Sequence, residues 1–482
     1  MLYRQKHDTF IRHYDDVGYI VNEGVIADKV VDAVGAVFLD ALSREAQSLD
    51  DLVARIAPAF RNPPASLRDD VVDFYGMLER DGFVVSGRTP EELDRKDPPF
   101  SYARSWSGRP AREKDAAPSL AMAIRDSQTY LSNHFEGHPH LVSLQLEITS
   151  RCNERCVHCY IPHAYKTQAM DLELYRSILD QGDQMGLLAL TLSGGEPLAH
   201  PDFCRMLDMT REHDLSVRIL SNLTLLDDKI LASIKAARIA NIKVSLYSMD
   251  PQVHDAITQL PGSHARTVAA IERLRENDVP LMINCPVMRE NKDGMDDVLR
   301  WGAARDIKTV CDWVMMARYD RSTDNLDHRL TLEEVRPLVQ AVINDDAEYR
   351  RRVLEADLAA ERARDISCDP VCGVCVSSLS VVSDGTVYPC AGWQSRVLGS
   401  LREQSLRDIW EKSPEVLYLR RLRMRDFPQC LDCENKPFCA MCMVRNANES
   451  PTGNPLDVNP HFCRIAELNR EVVEGWLREQ GR

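Results

Sequence analysis

The chain has 482 residues, 44% hydrophobic and 28% charged, the balance of a globular protein with material for more than one core. A formal net charge of -15 argues against nucleic acid or an anionic membrane surface as the main partner. There is no apolar run long enough to span a bilayer and no start of the signal-peptide type, so the expectation is a cytoplasmic protein with no membrane partner.

Residues 1–87 read as a small α+β unit. "TFIRHYDDVGYIVN" alternates around Asp15–Asp16 and Gly18, which predicts a hairpin. "DKVVDAVGAVFLDAL" and "SLDDLVARIAPAF" carry apolar residues at helical spacing, the second with Ser48 as N-cap. "SLRDDVVDFYGMLERDGFVVSG" reads as a helix, a stop at Gly82 and a short strand. This order is winged-helix-like. Residues 1–90 nevertheless hold ten Lys and Arg against fifteen Asp and Glu, which disfavours DNA binding. Residues 88–118 are charged, Pro-rich and without apolar period, hence a linker.

From 119 to 330 strand-like runs alternate with helical ones. The strands are "LVSLQLEIT", "LLALTLS", "LSVRILSN", "NIKVSLYS", "PLMINCPVM" and "KTVCDWVMM". Six β–α units imply an α/β fold with a parallel sheet and right-handed crossovers. Special residues gather after strand ends, where such folds place their active sites. Residues 331–367 read as a charged helical connector, 368–463 as a cysteine-rich domain and 464–482 as an amphipathic C-terminal helix.

The fifteen cysteines are distributed unevenly. None precedes Cys152, while nine crowd between Cys368 and Cys463. In a reducing compartment that clustering points to metal ligation rather than disulfides. Cys204, Cys285 and Cys311 stand alone and read as small buried apolar residues. In "ITSRCNERCVHCY" three thiols, Cys152, Cys156 and Cys159, follow the first strand. Zinc takes four protein ligands, or three and a water, and a ferredoxin cluster uses a different spacing. Three thiolates on a four-iron cluster leave one iron open to a chelating small molecule. "LSGGEP" follows the second strand: Gly194 and Gly195 permit close backbone approach, and Glu196 suits an ammonium group. A ligand with an amine, a carboxylate and an adenosine fits.

These two motifs, in this order on successive strands, resemble the radical S-adenosylmethionine (SAM) enzymes. Cys152-x3-Cys156-x2-Cys159 resembles their cluster loop, with His158 at the position near the adenine. Gly194-Gly195-Glu196-Pro197 resembles their SAM-amine motif, and Asn222 and Ser245 match strand-end positions that help hold the cofactor. The resemblance implies a partial (β/α)6 barrel and a SAM-binding [4Fe–4S] cluster. It also implies hydrogen abstraction from substrate by a 5′-deoxyadenosyl radical, with an electron donor such as flavodoxin or ferredoxin.

Downstream the spacings are Cys368-x3-Cys372-x2-Cys375, then Cys390, then Cys430-x2-Cys433-x5-Cys439-x2-Cys442, and lastly Cys463. Asp384–Gly385 predicts a hairpin between Cys375 and Cys390. A zinc ribbon could use four of these thiols, but two four-thiolate sites fit nine better. The stretch resembles the SPASM extension of some radical SAM enzymes, which carries auxiliary [4Fe–4S] clusters. By that resemblance one cluster uses Cys430, Cys433, Cys439 and Cys463. The other uses Cys390 and Cys442 with Cys368 and Cys372, leaving Cys375 spare. Two residues rather than the usual three separate Cys439 from Cys442.

The first unit resembles, in element order and placement, the peptide-binding RiPP recognition element of ribosomal peptide maturation systems; the plainer reading is a structural or dimerising domain. In that family a leader peptide adds as a strand to an exposed sheet edge. Together the three regions imply an enzyme that grips the leader of a precursor peptide and modifies its core. Thioether cross-linking is the first expectation, and carbon–carbon cross-linking or epimerisation is open. A sulfatase-maturase-like side-chain oxidase and an iron–sulfur redox sensor are the competing classes.

Overall fold

The computed structural model describes residues 1–22, 27–98, 127–165, 167–237 and 239–481. Six strands open the chain: β1 (Leu2–Gln5), β2 (Thr9–Tyr14), β3 (Val17–Asn22), β4 (Ala27–Val31), β5 (Gln47–Ser48) and β6 (Val84–Gly87). They form two antiparallel sheets, β2-β3-β4 and β5-β1-β6. The hairpin turns at Asp15–Asp16 as expected, with Asp15 in the left-handed region at φ 55°. One expectation fails at "DKVVDAVGAVFLDAL", whose first residues are a strand. Val30 and Val31 pair with Tyr19 and Gly18, and the helix Ala33–Asp40 begins only after Asp32 caps it through Gly35 N. β-branched residues at a pleated position outweigh the helical spacing. Ser48 caps the helix Leu49–Ile56 in a full capping box.

The supposed linker also starts later than its composition suggests. Pro90–Lys96 is a helix capped by Thr89, with Leu93 fully buried. Arg4 reaches from β1 to Asp94 at 2.6 Å, tying that helix down. The rest of the expected linker, from residue 99, lies outside the described residues.

The large sheet contains β7 (Ser143–Thr149), β8 (Ala189–Gly194), β9 (Ser216–Ser221), β10 (Ile239–Ser245), β11 (Leu281–Pro286) and β12 (Thr309–Asp312). All five pairings between these neighbours are parallel and sequential, from β7 to β12. Beyond β7 the sheet continues into the cysteine-rich region with β13 (Ser378–Val382), β14 (Thr386–Tyr388) and β15 (Gly399–Ser400), in the order β12-β11-β10-β9-β8-β7-β13-β14-β15. β13 lies parallel to β7, so the edge of the first strand is covered and its backbone groups are paired. The expected turn at Asp384–Gly385 joins β13 to β14, with Gly385 at φ 94°.

The connector forms the helices Leu332–Asp345, Ala347–Glu355 and Leu358–Ala363. The first packs on the C-terminal helix around Leu338, Val339, Leu468 and Val472. That last helix spans Pro460–Glu479, so Cys463 belongs to its first turn. No helix among the described residues is long and apolar enough to cross a membrane.

The β2-β3-β4 sheet has helices on one face, around Ile20, Val31, Phe38 and Leu39. Its other face, with Phe10, Tyr14 and Tyr19, packs on Leu131 and Phe135 of the helix Ser127–Gly137 and on Leu188. Arg12 donates from Nε to Leu187 O at 2.8 Å and from Nη2 to Asp214 O at 2.6 Å. Those carbonyls precede β8 and β9, so the unit docks at the N-terminal ends of the parallel strands.

Candidate active site

The three-thiol loop leaves the C-terminal end of β7 and is held by backbone on two sides. Arg155 N donates to Thr258 O at 3.0 Å and Val157 N to Ile257 O at 3.0 Å. On the other side Gly195 N donates to Thr149 O at 2.8 Å and Glu196 N to Arg151 O at 2.9 Å. A Cβ on Gly195 would lie 2.4 Å from Arg151 O, and one on Gly194, at φ 146°, 2.1 Å from Thr149 O. The glycines therefore let the chain approach itself, locking the "GGEP" turn to the cluster loop.

Glu196 is fully buried and accepts from Ser221 Oγ at 2.7 Å, Asn222 N at 2.7 Å and Leu198 N at 3.0 Å. Burial pushes its carboxyl up to about 7 against those hydrogen bonds. Three of about four acceptor positions are filled from the ends of β8 and β9, so the carboxylate first of all joins two strand ends. Asn222 donates from Nδ2 to Asn153 Oδ1 at 3.1 Å, inside the cluster loop, and accepts from Thr224 Oγ1 at 2.7 Å. His158 meets Tyr247 edge-on at 5.0 Å, two residues after Ser245, the last residue of β10. The structure thus brings Cys152, Cys156, Cys159, His158, Glu196, Asn222 and Ser245 to one end of the sheet, with Pro197 starting the short turn behind them.

Several residues here went unnoticed in the sequence. Glu154 lies between Cys152 and Cys156; it accepts from Ser263 Oγ at 2.5 Å and from the Cys156 thiol at 3.4 Å. His254 supports the same corner, its Nδ1 accepting from Tyr247 N at 3.3 Å. Glu147 on β7 is 3% exposed and accepts from Tyr160 Oη at 3.3 Å and Gln394 Nε2 at 2.9 Å. Burial raises its carboxyl to about 7. It lines a cavity of 390 Å³ with Tyr319, Asp320, Tyr388 and Gln394. The charged segment 317–329 packs on the cluster loop: Asn325 is buried and donates to Met316 O at 3.0 Å, and Tyr319 N donates to Tyr160 O at 3.2 Å. None of these has a motif, because they converge only through the fold.

Cys430, Cys433, Cys439 and Cys463 line one cavity of 440 Å³, which Cys442 also borders. Burial and then the charges of the other three push the Cys430 thiol up to about 11. Cys372, Cys390 and Cys442 form a second group: burial, and then Cys442 and Cys390, hold Cys372 at about 11. Cys368 is exposed. Cys375 is fully buried in the main core at φ 61°, its thiol raised to about 12 by burial, and its carbonyl accepts from Arg420 Nε at 2.8 Å. Thiols that raise one another's pKa need a compensating cation to ionise together. Sets of three or four thiols are the donor sets that four-iron clusters take.

The radical SAM superfamily profile matches residues 146–302, and the SPASM iron–sulfur cluster-binding profile matches 372–434. The AdoMet-dependent heme synthase of Methanosarcina barkeri is 28% identical over 340 residues, 65% of this chain and 94% of its own length. A PqqA peptide cyclase of Gluconobacter oxydans is 26% identical over 338 residues, 68% of this chain and 93% of its own. The crystal structure of Streptococcus suis SuiB bound to precursor peptide SuiA has a TM-score of 0.62 at 15% identity, covering 94% of this chain and 98% of that one. The fold is therefore shared along nearly the whole chain. Each profile falls on one group of thiols: residues 146–302 carry a radical SAM domain and 372–434 a SPASM iron–sulfur cluster-binding domain, and such domains use S-adenosylmethionine and [4Fe–4S] clusters.

Proposed function

We propose that this enzyme modifies a ribosomally made precursor peptide held by its leader, with thioether formation as the bond chemistry. The observation that carries the reading is the N-terminal unit. The fold of SuiB, solved with a precursor peptide, extends over 94% of the chain. The relative named as a PqqA peptide cyclase supports the same substrate class. In this reading residues 1–87 are the winged-helix-like leader domain. The outer edge of β4, which pairs only with β3 among the described strands, takes the peptide as an added strand. Residues 119–330 are a partial (β/α)6 barrel, 331–367 a connector and 368–463 the auxiliary-cluster domain.

Cys152, Cys156 and Cys159 would hold the SAM-binding cluster, with Gly194, Gly195, Glu196, Asn222, Ser245 and His158 around the cofactor. When bound, cluster and SAM supply a radical able to abstract hydrogen from carbon. Cys430, Cys433, Cys439 and Cys463 would hold one auxiliary cluster. Cys372, Cys390 and Cys442, with Cys368 as fourth donor, would hold the other. The chain's own part is to position the substrate over the cluster loop and keep water out. Glu147, protonated or ionised near neutrality, is placed to accept a proton from a substrate thiol in the cavity it lines. A flavodoxin or ferredoxin of the cytoplasm would supply electrons.

The test is anaerobic reaction of the reconstituted enzyme with peptides encoded by neighbouring small reading frames, followed by mass spectrometry. Leader-dependent loss of two hydrogens per cross-link, mapped to a Cys sulfur and a carbon, is the expected result. The same mass loss without sulfur in the bond would replace thioether by carbon–carbon chemistry. Modification that ignores the leader, or turnover of a tetrapyrrole in place of any peptide, would sink the proposal.

A further inference from the structure

Away from the sulfur sites, a second set of metal donors meets where the N-terminal unit docks. Asp15 projects from the tip of the β2–β3 hairpin. His134 lies in the last turn of the helix Ser127–Gly137, His138 follows its last residue with its N donating to His134 O at 3.0 Å, and His140 comes two residues later. All three imidazoles turn toward one carboxylate oxygen. From Asp15 Oδ2 the distances are 3.5 Å to His134 Nε2, 3.2 Å to His138 Nδ1 and 3.1 Å to His140 Nε2. The donor atoms of Asp15, His134 and His140 all lie within 4.8 Å of one another. The rings are stacked in parallel: His134 and His138 have centroids 5.1 Å apart at 13°, His134 and His140 6.3 Å apart at 2°. The floor beneath is apolar, with Tyr14 against His140 at 5.2 Å and Phe135 at 5.8 Å.

Hydrogen bonding alone leaves this arrangement incomplete. Only His140 makes a hydrogen bond to Asp15, and His134 Nε2 is buried with no hydrogen-bond partner. A buried polar nitrogen without a partner is costly, and aimed at a carboxylate beside two other imidazoles it fits a ligand. Three imidazoles and one carboxylate are the donor set of a borderline divalent transition metal, zinc above all; calcium and magnesium would ask for oxygen.

We propose that Asp15, His134 and His140, with His138 as the fourth donor, bind one zinc-class divalent ion that fastens the N-terminal hairpin to the helix leading into β7. The ion joins residues far apart in sequence, at the N-terminal end of the parallel strands, while the cluster loop lies at the other end. Its role is thus to fix how the N-terminal unit is mounted, and not to join the radical chemistry.

The test loads the iron-replete enzyme anaerobically with one equivalent of zinc, desalts it, measures metal content and records zinc X-ray absorption. About one zinc per chain, with nitrogen and oxygen neighbours at about 2.0–2.1 Å, is expected. Asp15→Asn keeps a residue that tolerates the left-handed turn, and His134→Ala/His140→Ala removes two donors. Each should lower zinc affinity at least tenfold with iron content unchanged, which also reports that the variants fold. Sulfur neighbours at about 2.3 Å, no retained zinc, or equal retention by both variants would each overturn the site.

Discussion

Gly195→Ala is the sharpest probe of the way the cofactor turn is locked to the cluster loop. The new Cβ would lie 2.4 Å from Arg151 O and 2.6 Å from both Arg151 C and Ser150 O. Carbon contacts settle near 3.5 Å, so the two segments must separate by about 1 Å. That opens the hydrogen bonds Gly195 N–Thr149 O and Glu196 N–Arg151 O, 2.8 and 2.9 Å long. At about 1 kcal/mol each, with overpacking of about 1–3 kcal/mol, the local cost is about 3–5 kcal/mol. A domain with about 5–15 kcal/mol of stability survives this as a folded chain. Cys152, the next residue, does not keep its place, because metal ligation tolerates only about 0.2 Å. Iron and sulfide counting, together with dithionite-driven SAM cleavage, reads the outcome. The expectation is a fall from about twelve irons to about eight, and at least a hundredfold loss of cleavage. Gly137→Ala, where a Cβ meets nothing within 4 Å, is the control. Twelve irons and cleavage within about threefold of wild type would refute the argument.

Cys375→Ala should keep all irons and cost about 1–2 kcal/mol by denaturant titration, since the thiol is buried core; Cys372→Ala should lose about four irons, and the reverse pattern would exchange their roles. Glu147, raised to about 7 from 4.5 by burial, favours the fold fully below pH 4.5, and that contribution is lost as pH rises through 7. Glu147→Gln should therefore gain on wild type between pH 5 and 8, by about 3 kcal/mol at most, in denaturation midpoints; no pH-dependent difference would mean the carboxyl is solvated. Because the N-terminal unit docks at the strand starts and β7 is seven residues long, a held peptide must cross roughly 23 Å to reach the cluster loop. Precursors with fewer than about seven residues between leader and core should stay unmodified in mass spectra while SAM is still cleaved. Efficient cross-linking of a shorter spacer would mean the peptide is held elsewhere.

The order of β7 to β12, their helices and the placement of thiols and "GGEP" at strand ends were legible because they are local. Apolar period fixes a strand or helix within about ten residues, and cysteine spacing fixes a loop's ligand count. At the start of "DKVVDAVGAVFLDAL" both periods fit the valines, and only pairing with β3 makes them strand. β1 and β5 gave no signal, being four and two residues long.

By itself the sequence determined that three thiols follow one strand, a Gly-Gly-Glu turn follows the next, and a second thiol array ends the chain. Only the tertiary structure decided which distant groups share a site. It set Glu147 between Tyr160 and Gln394, left Cys375 in the core while Cys372 faces Cys390 and Cys442, and brought Asp15 to three histidines more than a hundred residues away. The physical reason is that ligation and proton transfer depend on distances of a few ångströms, and those distances are set by sheet order and domain docking rather than by neighbours in the chain.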